Sequence, residues 1–417
     1  MADAIRIDDL AAPRLTEMQK AAITAAPPVE MEIEAVLGAA RRATGLSDFG
    51  AGDFRERLAI WLASYDEDRD LTALGRATLF GECVRYASAR LRIEDLWRRH
   101  PEIAAIGIDR PIMVAGLPRS GTTHLVNILA ADPRLRSTPL WETMEPIPGP
   151  DDVGEPDPRR VRTAEMWGGF EAVLPLMPAM HEMAPDHVHE DIELQGPDFS
   201  SYLPEWLSRP VRWRDHYLAS DQTPHYAYAK RVMQALSWLR GPARWVVKSP
   251  PHMENLPALI AVHPKAIVPI THRDPVAVLQ SAITMIAYGD RIRRARQDLP
   301  ALAAWWIDRI EVLLRRCVRD RDAIPAGQSI DILFHDYMAD QKAVVAKVYA
   351  LADLEMTPEA DARIDHFLAA NPRNKHGRVV YDLAGDFGVD VGAVRERFAF
   401  YYDRFPVRKE AVEGERL

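Results

Sequence analysis

The sharpest chemical feature of this sequence is the octapeptide GLPRSGTT at residues 116–123. A short apolar run at 112–115 precedes it and helical periodicity over 122–130 follows, which predicts a strand, a turn and a helix. Glycines let the backbone wrap closely around an anion. The N–H groups of Arg119, Ser120, Gly121, Thr122 and Thr123, with the positive end of the helix, converge on it. That geometry suits a phosphate. The spacing from Gly116 to Gly121 matches the first half of a Walker A loop, but Thr122 and Thr123 stand where that motif has Lys and then Ser/Thr. The lysine for β- and γ-phosphates is missing. A second feature is THRDP at 271–275, closing another apolar run, with Ser281 eight residues after Arg273. A planar, permanently charged guanidinium at the carboxyl end of a strand is well placed for a phosphate. The third is VVKSPPH at 246–252, which puts Lys248 at the tip of a further predicted strand. Taken singly, these are commonly a structural turn, a surface arginine and a solvated lysine; together they converge on one sheet edge.

The elements that must position them alternate between strand and helix. Strands are predicted at 112–115, 244–247, 266–271 and 329–334, separated by stretches of helix length, as in a parallel sheet covered by helices. Asp274 ahead of Pro275 reads as an N-cap before a first-turn proline. Further helices are predicted over 298–321, 337–351 and 358–370. Residues 1 to about 108 carry helical periodicity and almost no strand signal, with Phe54, Leu58, Trp61 and Leu62 at i, i+4, i+7 and i+8. Six prolines between 139 and 158 predict a long loop without regular structure, and a mostly helical, aromatic- and Met-rich stretch then runs to about 240.

The chain has 417 residues, 47% apolar and 27% charged, which is enough to bury a large core. A net charge of −9 gives no global attraction to nucleic acid or anionic lipid, so an anionic ligand needs local positive charge. Two cysteines, Cys83 and Cys317, are too few for a disulfide framework or a thiolate zinc site. There is no run of about 18 uncharged apolar residues and no basic, then apolar, leader pattern, so a cytoplasmic protein without a membrane span is expected.

In this order the motifs resemble the sulfotransferases that use 3′-phosphoadenosine 5′-phosphosulfate (PAPS). The likeness covers roughly residues 111–378 and is similar to bacterial sulfotransferase-family proteins that begin GLPRSGTT and end with NP-x-x-KHGR, here residues 371–378. It implies an α/β, P-loop-like three-layer fold with a central parallel sheet. A helical extension would occupy 1–108 and the sulfotransferase domain 109–417, with a helical acceptor-lining region inserted at about 139–240. It implies that Arg119, Ser120, Gly121, Thr122 and Thr123 hold the 5′-phosphosulfate, that Arg273 and Ser281 hold the 3′-phosphate, and that Lys375 and Gly377 fold over the donor. The tyrosylprotein sulfotransferases, which share PRSGTT, a Glu-Thr pair after the first helix and a lysine at a later loop, imply Arg119, Glu142 and Lys248 as catalytic. Cytosolic small-molecule sulfotransferases instead carry a lysine in the first loop and a histidine two residues after the second lysine; Arg119 and Pro250 stand there in this chain.

The implied reaction is in-line transfer of the sulfuryl group to a hydroxyl of a small or lipophilic acceptor. A sulfuryl group carries less negative charge than a phosphoryl group, so Arg119 and Lys248 can balance it and no metal is required. A carboxylate with an ordinary pKa of about 4.3 is a weak base for an alcohol, and burial beside Pro139 and Trp141 would raise that of Glu142. His181 and Glu190 are the other candidate bases. They belong to HEMAPDHVHED, 181–191, whose three histidines and four acids also raise a metal site, although HExxH is absent and Pro185 interrupts a helix. Trp167, Phe170, Met177, Met180, Met183, Phe199, Tyr202 and Trp206 are candidate walls of an apolar acceptor cavity, or ordinary core. The basic run 291–296 reads as a solvated helix face or an attractor for an anionic donor. Competing readings are a P-loop kinase or nucleotidase, with Asp336 as its metal acid rather than a helix cap, and a non-catalytic nucleotide-binding relative.

Overall fold

A computed structural model describes residues 4–372 and 375–411 of the chain. Its strands are β1 (Ala4–Ile5), β2 (Ile112–Gly116), β3 (Leu135–Arg136), β4 (Arg244–Lys248), β5 (Val268–His272), β6 (Ser329–Leu333) and β7 (Arg378–Val379). Five of them form one sheet in the order β3-β4-β2-β5-β6, with every neighbour parallel. The connections leave the central strand β2 in opposite directions, so the carboxyl ends of β2, β4 and β5 meet at a topological switch point. Register fixes what meets there: Val114 pairs with Lys248 and Gly116 with Thr271.

All five residues of β2 are buried, and so are those of β5, because helices cover both faces. The period of two then sorts the side chains. Met113 and Ala115 join the core that also holds Trp245, Val247, Val268 and Ile270, while Ile112 and Val114 point to the opposite core with Val126, Val246 and Ile332. This is the three-layer α/β arrangement expected from the alternation of motifs.

Where the sequence signals are strong the elements follow them. The helix Thr122–Ala130 starts at Gly121, Asp274 caps the helix Pro275–Arg293 by accepting from the Val276 amide, and Asp298 caps the helix Leu299–Asp320. Two expectations change. The helix expected over 337–351 is two helices, Phe334–Ala339 and Gln341–Leu351, because Asp340 turns out of the first and caps the second at the Ala343 amide. Asp336 therefore lies inside the first of these rather than capping it. The proline-rich segment is also not wholly irregular: Pro139 sits at the N-cap of a short buried helix, Leu140–Met144.

Before β2 come the helices Glu17–Ala25, Ile33–Thr44, Phe54–Glu67 and Ala73–Arg99. The stripe Phe54, Leu58, Trp61 and Leu62 is buried in a core completed by Phe199 and Trp213 from later in the chain, with Trp61 edge-on to both at 5.3 and 5.4 Å. The basic run at 291–296 is not a uniformly solvated face: Arg291, Arg293 and Arg294 are buried, Arg296 is exposed, and all four are paired. Arg291 pairs with Asp9 at 2.8 Å, Arg293 with Asp290 at 3.2 Å, Arg294 with Asp68 at 2.6 Å and Arg296 with Asp70 at 2.7 Å. Three of these four partners lie in the first 70 residues, so the run clamps that region to the end of the helix Pro275–Arg293. Parallel pairing of β1 with β7 ties the first described residues to the segment after residue 375.

At Gly116 the backbone of β2 approaches β5 closely: φ is +149° and a Cβ would fall 2.1 Å from Thr271 Oγ1. Gly116→Ala is expected to lower the unfolding free energy by about 2 kcal/mol or more, read from denaturant titration of the purified chain.

Candidate active site

The glycine loop is built to leave amides free. Arg119 adopts φ +65° and Gly121 φ +88°, and no side chain caps the helix that begins at Thr122. The first-turn N–H groups of that helix therefore have no partner within it and face the cavity wall formed by Arg119, Gly121, Thr122 and Thr123. Ser120 departs from expectation. Its hydroxyl is fully buried, donates to the Leu117 carbonyl and lies 2.7 Å from Thr271 Oγ1, while its amide also goes to Leu117 at 3.2 Å. Ser120 thus staples the turn to β5 and contributes neither group to the cavity.

Arg119 knits two further candidates to the loop. Its Nε donates to Ser281 Oγ at 2.9 Å, and its carbonyl accepts from Arg273 Nη1 at 2.6 Å. Among the described residues Arg119 has no carboxylate partner. Burial and the neighbouring Arg273 lower its pKa, with Tyr381 acting in the opposite direction, so the two guanidiniums together favour an anion. Arg273 lies 4.1 Å from the Phe334 ring centre, and its Nε and Nη2 are held by both oxygens of Glu410 at 2.7 and 2.8 Å. Nothing in the sequence pointed to Glu410, Tyr381 or Phe334; all three meet the loop through contacts far apart along the chain.

Lys248, at the end of β4, is 1% exposed and its Nζ is 2.5 Å from Glu190 Oε1. The Asp191 amide donates to the Lys248 carbonyl at 3.1 Å, which lays the segment after His189 along the end of the strand. His252 Nδ1 is 2.8 Å from the Tyr226 hydroxyl, and its Nε2 is 3.1 Å from Asp191 Oδ2 but out of line for a hydrogen bond. His181 borders the same cavity. Glu142 does not: it is 1% exposed, and its Oε1 accepts from Arg240 at 2.9 Å and Arg136 at 3.2 Å. The short helix Leu140–Met144 turns Met144 to the cavity and leaves Glu142 facing those arginines, so the carboxylate beside Lys248 is that of Glu190.

The cavity has a volume of about 650 Å³. Beyond the glycine loop its walls include Trp167, Phe170, Met177, Met180, Met183 and Trp206; Phe199 and Tyr202 instead lie in the cores. Lys375 and Gly377 border it too, with Lys375 held by Glu182 at 2.7 Å and Asn371 at 3.0 Å, whereas Arg373 and Asn374 of the same segment lie outside the described residues. No group of three or more His, Cys, Asp and Glu side chains among the described residues is arranged to hold a metal ion, and none of the described helices is long and apolar enough to cross a membrane.

A model of the sulfotransferase family matches residues 111–358. No curated protein matches the chain. Among solved structures it is similar to sulfotransferase STF1 from Mycobacterium tuberculosis, with 29% identity over 88% of this chain and 98% of that one and a TM-score of 0.78. It is similar also to sulfotransferase STF9 from Mycobacterium avium, with 25% identity over 93% of this chain and 99% of that one and a TM-score of 0.82.

The cavity histidines make stability depend on pH. Burial, then the neighbouring His189 and Lys248, push His187 down to about 4, and burial with His189, Arg119 and Lys248 holds His181 well below its usual value. The unfolded chain takes up these protons near pH 6.5, so between about 6.5 and 4 it binds more protons than the folded chain and stability falls on acidification. Denaturant melts across that window should show the fall, with a shallower slope for His187→Gln.

Proposed function

From the premise that this chain belongs to the sulfotransferase family, we propose that it moves the sulfuryl group of PAPS to a hydroxyl of a small or lipophilic acceptor. The observation that carries the reading is the joining of Arg119, Arg273 and Ser281 into one cluster beside unpartnered helix amides, next to the buried Lys248–Glu190 pair. Two guanidiniums and a helix N-terminus fit a ligand bearing two anionic groups.

When bound, the donor supplies a sulfuryl group already activated as a mixed anhydride with phosphate. Thr122, Thr123 and Arg119 would hold its 5′ end, and Arg273 with Ser281 its 3′-phosphate. Lys248 and Arg119 would neutralise charge on the leaving side, and the low dielectric around such buried groups would strengthen both. Glu190 is our choice of base. It is the carboxylate in contact with Lys248, and it borders the cavity where an acceptor hydroxyl would enter. The hydroxyl proton would pass to its carboxylate as the new O–S bond forms and the S–O bond to the 5′-phosphate breaks, releasing adenosine 3′,5′-bisphosphate. His181, kept neutral by its surroundings, borders the same space and is the second proton acceptor to consider. The methionine and aromatic walls suit an apolar acceptor body.

Incubation with isotopically labelled PAPS and a mixed acceptor library, read by product mass, tests the activity. Lys248→Ala and Arg119→Ala should abolish turnover; a wild-type rate in either variant would overturn the role of that residue. Glu190→Gln should lower kcat by about 100-fold or more with little change in binding of adenosine 3′,5′-bisphosphate. Glu142→Gln should keep kcat within about threefold while costing about 1–3 kcal/mol of stability, because Arg136 and Arg240 lose the negative charge they share.

A further inference from the structure

The C-terminal segment engages three consecutive side chains where β5 ends. Tyr401 OH is 2.8 Å from His272 Nδ1, and the His272 ring stacks on Phe405 with centres 4.0 Å apart. Asp274 accepts from Arg395 at 3.0 Å, from the Tyr402 hydroxyl at 2.6 Å and from the Glu410 amide at 2.7 Å. Between them, Glu410 takes the Nε and Nη2 edge of Arg273 with both carboxylate oxygens. A guanidinium offers that edge to two oxygens of a phosphate in the same way. Ser281 stays bonded to Arg119 and makes no hydrogen bond to Glu410, so the carboxylate fills only part of the site.

We propose that Glu410 is an internal competitor that sets donor specificity at Arg273. Its carboxylate holds the place of the 3′-phosphate until a nucleotide with a 3′-phosphomonoester displaces it and loosens residues 399–410; a nucleotide with a free 3′-hydroxyl does not. The proposal rests on the reading of Arg273 as the residue that holds the 3′-phosphate. A phosphomonoester brings about −1.5 to −2 charges and three acceptor oxygens against one charge and two oxygens for the carboxylate, so it wins the fork where a hydroxyl cannot. The backbone bonds of Glu410 to Asp274 and Arg395 couple that displacement to the rest of the segment.

Calorimetry on the full chain compares wild type, Glu410→Gln and Arg273→Ala with adenosine 3′,5′-bisphosphate and with AMP. Hydrogen exchange over 399–410 follows the same titrations in wild type. Glu410→Gln is expected to bind the bisphosphate roughly threefold tighter or more, with AMP unchanged, since the competing closed form is weakened. The bisphosphate, and not AMP, is expected to speed exchange over 399–410. Unchanged or weaker bisphosphate binding in Glu410→Gln, or exchange that the bisphosphate leaves alone, overturns the role of Glu410. The donor reading survives that result if Arg273→Ala still weakens bisphosphate binding. If wild type and Glu410→Gln both fail to distinguish the bisphosphate from AMP, the donor reading falls and this proposal with it.

Discussion

The whole carboxyl edge of the sheet hangs on how closely β5 approaches β2 at Gly116. With a Cβ forbidden there by a 2.1 Å approach to Thr271 Oγ1, the strands close up enough for the Ser120 and Thr271 hydroxyls to meet at 2.7 Å. That contact fixes the turn, the turn holds Arg119 at positive φ, and Arg119 then reaches Ser281 with its side chain and Arg273 with its carbonyl. Three residues spread over more than 160 positions are brought into one cluster by one missing methyl group. The positive charges are thereby held near each other at a desolvation cost.

Much of this was legible because strands buried on both faces leave apolar runs, and β2, β4 and β5 each carry one ahead of the residue that matters. The strand β3 has two residues, and β1 and β7 two each, too short for any periodicity to register. The break at Asp340 was hidden because its neighbours are good helix formers on both sides; only the capping bond to Ala343 reveals it. In the site, the order of the glycine loop, Lys248, Arg273 and Ser281 could be read from motifs. The setting of Glu142 could not, since it depends on Arg136 from β3 and Arg240 at the end of a helix 98 residues on. The grip of Glu410 on Arg273 spans 137 residues and has no local signature at all.

Buried ion clusters hold the inserted region against the helices around it. Arg309 is fully buried and shared between Glu205, from the insertion, and Glu254, in the turn that follows Lys248. Burial, and Glu254 competing for the same guanidinium, raise the Glu205 carboxyl to about 7. Asp198 is likewise surrounded by Arg57, Arg90 and His225. Clusters of this kind add little net stability over apolar packing, but removing one member is costly, so they define which surfaces meet. Here the Arg309–Glu254 pair anchors the turn that follows β4 and Lys248.

The helix Pro275–Arg293 is buried along nearly all of its 19 residues, a rod about 28 Å long. Ser281 lies in its first half and Arg273 just ahead of it, while the arginines at its far end are clamped to Asp9 and Asp68. A stiff strut of this length transmits a shift at one end to the other instead of absorbing it. Altering the acidic residues in the first 70 positions can therefore shift Ser281 and Arg273, far along the chain from the residues changed.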